Sequence, residues 1–473
     1  MGRRGRLDLN RGRLHLICLA FAGLTLTGCA GLTTTDRSNS AAEAQQAITA
    51  WEYDQVDATN VAQLDDLVGI PELDELLSNA FENNPGLRQT ALALAITRRQ
   101  YDATSGSQLP SLTATLSDTR QDSPEDVFSA GLSVSWELDL WRKLADNTEA
   151  AAMDIAASEA TLQSARDSLA ASLMRSWLQI SQYQQLLTIE TDRLKTLERN
   201  QQLVTQRYRS GLGDLEELDN ARTSSASTRA TIADYEEKLA QSVRNLKQQL
   251  GILSADSVND VTSVIDSLLS STSTAFPEVL QPLSAIPEQD LARRPDLQEA
   301  YANILAAQYR SKVAYKDLLP SITLTGSLTN SGNSLNDVLT GSPAWNLLGQ
   351  LTAPLFQGGQ LRAAADIAEL KAEQAFWGYQ ETLISAVKEV NDTLGQEQSL
   401  ERQQQHIREA LKNAQRSADH YQSKYRQGLV DILDLLSVQQ QTFDLQAQLI
   451  QITYNRLANR VDLGLALGLG VTS

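Results

Sequence analysis

For a chain of 473 residues, the sequence contains very little cysteine and histidine. The two cysteines are Cys18 and Cys29, which excludes the disulfide framework typical of small secreted domains. His406 and His420 lie fourteen residues apart in a polar stretch without cysteine partners, so a metal site lacks further ligands. No grouping of nucleophile, base and acid is present. The sequence therefore predicts a protein that is not an enzyme and has neither a cofactor nor a bound metal.

Proline is absent from two very long stretches of the chain. No proline occurs between Pro124 and Pro277 or after Pro354. Residues 143–208 and 360–425 are therefore predicted to form unbroken helices, each about 100 Å long at 1.5 Å per residue. Their apolar residues recur in heptads, which is typical of coiled-coil packing. Examples are Leu173, Ile180, Leu187 and Leu194 in the first stretch and Leu400, Ile407, Ala414 and Tyr421 in the second.

The first 28 residues have the features of a secretory signal peptide. Five arginines precede an apolar run from Leu14 to Leu26, which is too short to span a membrane. The run ends in Leu26-Thr27-Gly28-Cys29, which resembles the lipobox of bacterial lipoproteins. That resemblance implies cleavage before Cys29 and acylation of its sulfur, with palmitate among the attached chains. A lipid would anchor the protein without making it span the membrane. The alternative is a plain signal peptide with an incidental cysteine.

The mature chain is strongly acidic. Without the five arginines and one aspartate of residues 1–28, the 40 basic and 58 acidic residues become 35 and 57, a formal charge of −22. This balance excludes a basic surface for nucleic acid. A solvated surface and a water-filled passage that prefers cations both remain compatible with it.

One short motif occurs twice. Tyr208-Arg209-Ser210-Gly211-Leu212 and Tyr425-Arg426-Gln427-Gly428-Leu429 lie 217 residues apart, and each glycine interrupts a helical pattern. Glycine tolerates positive φ, so each copy is predicted to be the tip of a helical hairpin. Leu109-Pro110-Ser111 also recurs as Leu319-Pro320-Ser321, at an offset of 210. The sequence therefore predicts duplication of a whole structural unit.

Each predicted repeat contains two runs in which apolar and polar residues alternate. The runs are 111–119 and 130–140 in the first repeat and 321–329 and 346–355 in the second. Period-two alternation predicts strands with one apolar face. Their lengths are near the 9–11 residues of a tilted transmembrane strand, and aromatic residues lie near their ends. A soluble sandwich with one buried face is the alternative.

These patterns divide the chain into a small number of segments. A signal peptide (1–28) and a lipidated N-terminal segment (29–70), which we expect to be extended, precede the repeats. The first repeat (71–251) comprises a helix, two strands, the long helix 143–208, a tip and the helix 215–250. A connector (252–290) follows. The second repeat (291–468) comprises a helix, two strands, the long helix 360–425, a tip and the helix 431–467, and residues 469–473 form a tail.

Four strands cannot close a barrel in a membrane, and open sheet edges are not tolerated in lipid. Several chains must therefore share one barrel, and three chains supply twelve strands, an even number within the bacterial range. The predicted fold is mainly α with a small β part. It is an internally duplicated protomer of a trimeric 12-stranded transmembrane β-barrel continued by a long α-helical periplasmic barrel.

Several further motifs together resemble the TolC-like outer membrane factor family, in its lipidated branch that serves resistance-nodulation-division (RND) efflux systems. Besides the lipobox and the two tips they are Ile286-Pro287, Arg293-Arg294-Pro295-Asp296-Leu297, Leu319-Pro320-Ser321 and Pro354-Leu355-Phe356-Gln357-Gly358-Gly359. The resemblance implies a homotrimeric channel in the outer membrane of a Gram-negative bacterium, anchored by lipid and with a large periplasmic part. Its partners would be a periplasmic adaptor protein and an inner membrane RND-type transporter. Its function would be passive conduction of small molecules such as drugs to the exterior.

The resemblance also implies site residues. The family's second hairpin carries an aperture-lining leucine and an aspartate, and those positions are Leu433 and Asp434 here. The alternative for Asp434 is an exposed carboxylate that merely stabilises a helix start. Six tips per trimer, with residues Tyr208, Gly211, Leu212, Tyr425, Gly428 and Leu429, are expected to contact the adaptor. The alternative for the tips is a bare turn.

Two other functions remain open at this stage. The same fold serves type I protein secretion or metal-ion export in other systems, although three methionines give no visible soft-metal path. A lipid-tethered periplasmic coiled-coil scaffold would explain the helices and Cys29. It would not explain strands at matched places in both halves.

Overall fold

The structure, a computed structural model, describes residues 36–49, 51, 63–67, 71–120, 127–252, 276, 279 and 287–471. Cys29, the predicted signal peptide and most of the predicted connector (252–290) lie outside the described residues.

Helices make up most of the described chain. They are α1 (Ser38–Gln46), α2 (Pro71–Asn83), α3 (Pro85–Gly106), α4 (Lys143–Arg209), α5 (Leu215–Gln249), α6 (Pro287–Arg293), α7 (Pro295–Lys316), α8 (Leu335–Thr340), α9 (Gln360–Arg426) and α10 (Ile432–Ala466), with a short 3₁₀ helix at Asp65–Leu67. Proline begins four of them, where its missing N–H leaves no internal hydrogen bond unmade. None of the helices within the described ranges has both the length and the apolar character needed to cross a lipid bilayer.

The two halves of the chain have helices of matched length. α3 and α7 are each 22 residues long and begin 210 residues apart. α4 and α9 are each 67 residues long, α5 and α10 are each 35 residues long, and both pairs are offset by 217. The seven additional residues of the second offset therefore lie between the starts of β3 and β4. This matching agrees with duplication of a whole unit, and a residue in one half has a defined equivalent in the other.

Four strands form one antiparallel sheet in chain order. They are β1 (Ser111–Thr119), β2 (Val127–Leu138), β3 (Ser321–Gly332) and β4 (Ala344–Thr352). The structure thus has the mainly α fold with a small β part that the sequence predicts. β2 and β3 extend beyond the alternating runs because each finds hydrogen-bonding partners there, as in the pair Phe128 and Gly332. β4 ends before Pro354, which has no N–H for a strand ladder.

The chain forms two compact units. The sheet unit consists of residues within 1–42, 97–155 and 301–378, and the helical unit consists of residues within 43–96, 156–300 and 379–473. The main apolar core of the helical unit draws on α2, on the middle of α4 and on the ends of α5 and α10. Its largest fully buried side chains include Leu73, Leu76, Leu173, Met174 and Leu178.

The expectation of an extended segment before residue 70 is wrong for α1. The Asp36 carboxylate accepts hydrogen bonds from the Ser38 N–H at 3.1 Å and the Ser38 hydroxyl at 2.5 Å, which caps the helix start. The hydrogen bond from the Ser38 side chain outweighs desolvation and lowers the pKa of Asp36. Ala41 is fully buried, and Arg37 reaches Glu373 on α9 at 3.3 Å. Composition alone gave no sign of these distant contacts.

Candidate functional site

The first tip turns the chain between α4 and α5. Gly211 has φ +72°, in the left-handed region that favours glycine. The Leu212 N–H donates to the Arg207 carbonyl at 2.9 Å, and the Gly211 N–H donates to the Tyr208 carbonyl at 3.0 Å. This pair of bonds is the Schellman arrangement that ends a helix. Asp214 then caps α5 by accepting from the Glu217 N–H at 2.8 Å.

The second tip repeats this geometry between α9 and α10. Gly428 has φ +72°, and the Leu429 N–H donates to the Lys424 carbonyl at 3.0 Å. Asp431 caps α10 through the Asp434 N–H at 2.8 Å. Leu212 and Leu429 are both exposed, at 72% and 66%. Both predicted turns therefore form, and each presents a leucine to solvent at its apex.

The two tips differ in the turn that follows. Leu433 and Asp434 are both exposed on the first turn of α10. Their equivalents in the first tip are Glu216, which is exposed, and Glu217, which is half-buried with a carboxylate oxygen 4.0 Å from the Arg207 guanidinium. An exposed leucine beside a free-standing carboxylate therefore occurs in the second tip, and two glutamates take these places in the first.

An apolar cluster lies directly behind the second tip. Ile432, Leu435 and Leu436 of α10 are buried with Leu197, Val204 and Leu218 from the other hairpin. Tyr425 is half-buried against this cluster, whereas its equivalent, Tyr208, is exposed. The predicted tip residues are therefore placed in two environments. Tyr425 stabilises the packing of the hairpins, and Tyr208 presents its ring to solvent.

One face of the sheet is continuously apolar. In the strand register, Leu112 pairs with Val134, and Leu132 pairs with Leu328, which in turn pairs with Trp345. All five side chains are exposed. The other face carries serine and threonine, as in the pairing of Thr113 with Ser133 and of Ser133 with Ser327. An exposed apolar face backed by a polar one is the pattern of a strand between lipid and a watery interior.

Both outer strands of the sheet have a free edge within the described residues, since the order is β1-β2-β3-β4. The unpaired N–H and C=O groups of such edges are intolerable in hydrocarbon. The sheet is therefore complete only when other strands extend it.

The junctions of strands and helices hold aromatic residues in place. The Trp141 indole donates to the Pro320 carbonyl at 2.6 Å, and the Trp136 indole donates to the Gln108 carbonyl at 3.0 Å. Between β2 and α4, Arg142 takes φ +59°, the turn for which other members of the family use glycine. Asp139 stabilises that turn by accepting from the N–H groups of Leu144 and Ala145 at 3.0 and 2.8 Å.

A buried arginine cluster that sequence reasoning missed lies between α9 and α10. The Glu397 carboxylate accepts from Arg456 at 2.9 Å and from Arg460 at 3.1 Å. Arg456 also reaches Glu401 at 2.9 Å, and Arg460 donates to the Val279 carbonyl at 2.6 Å. The residues that the 217 offset places here in the first repeat are apolar, namely Ile180, Leu239 and Val243. Comparing the halves position by position would have revealed this cluster.

No group of three or more His, Cys, Asp or Glu side chains in the described part of the chain is arranged to hold a metal ion. His406 and His420 are both exposed or half-buried on α9.

Comparison with known proteins gives concordant matches. The profile of the family described as outer membrane efflux protein matches residues 76–252 and 286–469. The probable outer membrane lipoprotein SilC of Salmonella typhimurium is 30% identical over 407 residues, which are 85% of this chain and 86% of that protein. The cation efflux system protein CusC of Escherichia coli is 29% identical over 406 residues, 84% of this chain and 85% of that protein. The crystal structure of a membrane protein from Pseudomonas aeruginosa has a TM-score of 0.80 at 25% identity, covering 89% of this chain and 99% of that one.

A mainly helical, duplicated chain with one lipid-facing sheet defines a channel protein of the bacterial outer membrane. The matched profile and relatives then settle its family. The chain belongs to the outer membrane efflux protein family. It is the outer membrane tunnel component of a tripartite efflux system in a Gram-negative bacterium.

Proposed function

We propose that three copies of this chain form the channel and that its two tips bind a periplasmic adaptor, which links it to an inner membrane RND-type transporter. The observation that carries this proposal is the four-stranded sheet, with its exposed apolar face and two free edges. Three such sheets supply twelve strands, an even number that suits a closed barrel.

The tips support the adaptor contact through their chemistry. Leu212 and Leu429 expose apolar side chains at the apices of two hairpins with the same turn geometry. A trimer therefore presents six similar apices, and helical hairpins of a partner fit the grooves between such ends.

Leu433 and Asp434 narrow the periplasmic entrance in this proposal. Both are exposed in the protomer, and threefold symmetry would bring three copies of each around one axis. Rings of leucine obstruct hydrated solutes, and rings of carboxylates attract cations. The first tip has no leucine in the equivalent place, so the second tip alone forms the constriction.

The channel is anchored by lipid on Cys29, with no further cofactor. The motif Leu26-Thr27-Gly28-Cys29 supports this, and so does a relative described as an outer membrane lipoprotein. Mass spectrometry of the N-terminal peptide measures the acylation directly. An unmodified thiol on the mature Cys29 would refute the anchor and leave the channel untouched.

The transported molecules are small organic compounds such as drugs in the leading version of the proposal. Export of metal cations is the second candidate, and the similarity to a cation efflux system protein favours it. The test compares a strain lacking the gene with the complemented strain on a panel of antibiotics and of silver and copper salts. Sensitivity to antibiotics alone supports the first candidate, sensitivity to the metals alone supports the second, and unchanged sensitivity to both contradicts the proposed role.

A further inference from the structure

The internal duplication points to a contact that lies outside a single chain. α3 and α7 are equivalent at an offset of 210, and α4 and α9 are equivalent at an offset of 217. Where α4 meets α7, the equivalent pair is α9 and α3. The structure shows the first of these contacts within one chain and leaves the corresponding face of the second pair exposed.

Two ion pairs define the contact between α4 and α7. Arg310 of α7 binds Asp154 of α4, and Lys316 of α7 binds Asp146 of α4. Ala150 lies midway between the two aspartates on the same face of α4 and is 1% exposed. Ala306 lies one turn before Arg310 on α7 and is 0% exposed. Small residues on both sides thus allow the helices to approach closely.

The equivalent faces carry large apolar residues that are exposed. Ile367 stands on α9 where α4 has Ala150, and it is 53% exposed. Ile96 stands on α3 where α7 has Ala306, and it is 58% exposed. Trp377, Leu370 and Ile384 continue the α9 face, and Leu92 continues the α3 face. A heptad stripe of this kind on a helix of a coiled-coil protein requires a partner helix.

We infer that this face of α9 binds α3 of a neighbouring copy of the same chain, in the antiparallel register of the α4–α7 contact. The inference rests on the proposed homotrimer and specifies which helices hold it together. A second copy is the fitting occupant because the same chain carries both faces, and the duplication already pairs their equivalents.

The template fixes the register of this contact. Shifting the pair Asp154–Arg310 by the two offsets gives Lys371 opposite Gln100, and shifting Asp146–Lys316 gives Ala363 opposite Gly106. Trp377 lies six residues beyond Lys371, roughly 9 Å along the helix. Ile96 and Leu92 lie roughly 6 and 12 Å from Gln100 in the matching direction. The Trp377 ring therefore falls between these two side chains.

The contact between copies is thus chemically different from its template. The template uses alanines flanked by ion pairs, and neither ion pair survives at Lys371–Gln100 or Ala363–Gly106. The contact between copies uses tryptophan, isoleucine and leucine as knobs. An apolar interface of this kind holds subunits together, whereas the internal contact is already held by the chain itself.

Cross-linking in outer membranes tests the inference. Lys371→Cys with Gln100→Cys is treated with a short bismaleimide, which joins two thiols by addition. We expect covalent dimers and trimers on denaturing gels and no larger species, because a closed ring of three ends there. Asp154→Cys with Arg310→Cys is the matched control and should cross-link only within one chain. Each single-cysteine variant should remain monomeric on the gel.

A second measurement separates this inference from the proposed function. Native mass spectrometry of the wild-type protein reports the number of copies. Trimers without the Lys371–Gln100 cross-link would overturn the interface and leave the channel proposal standing, whereas absence of trimers would overturn the proposed function itself. In addition, Trp377→Glu should reduce the trimer fraction at least tenfold, and Trp377→Leu should retain it. Equal trimer fractions in the two variants would contradict the interface.

Discussion

The side-chain amide of Asn84 donates a hydrogen bond of 2.7 Å to the main-chain carbonyl of Gln249, the last residue of α5. In the second repeat, Arg294 donates at 2.6 Å to the carbonyl of Ala466, the last residue of α10. Each donor precedes the proline that begins a helix, and each acceptor is a C-terminal carbonyl with no partner inside its own helix. Two different side chains thus fulfil one function at equivalent positions of the duplication.

Arg294 carries an additional burden because it is charged and nearly buried. Desolvation disfavours its charge, but hydrogen bonds and charge attraction from Asp296 and Glu389, both at 2.8 Å, outweigh this and raise its pKa. The guanidinium therefore joins α7, α9 and the end of α10 by charge-assisted bonds.

The first prediction concerns the glycine that follows each of these helix ends. Gly468 has φ +71°, and a methyl group there would lie 3.0 Å from the Arg294 nitrogen and 3.1 Å from the Arg293 carbonyl carbon. Gly468→Ala should therefore lower the free energy of unfolding by more than the roughly 1–2 kcal/mol of left-handed strain alone. Gly211→Ala is the control, since its φ is +72° but no atom lies within 4 Å. Thermal unfolding of both variants checks the order, and equal losses would contradict it.

The second prediction concerns the buried Arg456–Glu397–Arg460 cluster. Glu397→Ala leaves two buried guanidinium groups short of a partner and should destabilise the protein by about 3 kcal/mol or more. The triple variant Glu397→Ile, Arg456→Leu and Arg460→Val installs the residues of the first repeat and should range from neutral to about 4 kcal/mol more stable. Denaturant unfolding in detergent measures both. A triple variant less stable than Glu397→Ala would refute this explanation.

The third prediction is a pH dependence centred on Asp167. Burial raises the pKa of this carboxyl above 3.8, although hydrogen bonds from the Val471 N–H and Gln163 act against the shift. A raised folded-state pKa means that the native protein binds the proton more tightly. The contribution to stability is therefore full below pH 3.8 and is lost as the pH rises through the folded-state value. Asp167→Asn should gain stability relative to wild type at neutral pH and converge with it in acid. A constant difference across pH would contradict the assignment.

The fourth prediction concerns the proposed constriction. Asp434→Ala should weaken block by divalent cations and cation selectivity in planar-bilayer recordings, because a ring of three carboxylates is removed. Glu217→Ala removes the equivalent carboxylate from the first tip and should leave both properties near wild type. Unchanged currents in Asp434→Ala would place the gate elsewhere.

The fifth prediction concerns docking at the tips. Leu429→Glu places a charge at an exposed apex without touching the turn geometry of Gly428. Export should fall to the level of the deletion strain while the trimer assembles normally, as judged by gel mobility before and after heating. The surface variant Gln422→Glu, on the same helix and outside the turn, should export normally. Full export with Leu429→Glu would mean that the apex makes no essential contact.

Long helices, strands and duplication could be predicted because each rests on local or periodic information. Absence of proline predicted the two 67-residue helices to within one residue at either end. Alternation of Leu and Thr predicted β1 at 111–119, where the structure places it. Alternation did not predict the full length of β3, because the additional residues are held by pairing with β2 and their own sequence does not alternate.

What the sequence by itself determined is the repeating plan: two hairpins, two strand pairs, two positive-φ turns and an apolar sheet face with nothing to cover it. These follow from periodicity and from the backbone preferences of glycine and proline. Only the tertiary structure decided how the copies differ. It placed Tyr425 against an apolar cluster and Tyr208 in solvent, and it buried an Arg–Glu–Arg cluster where the first repeat has Leu, Ile and Val. The reason is physical: a residue's burial depends on neighbours hundreds of positions away, which no local pattern records.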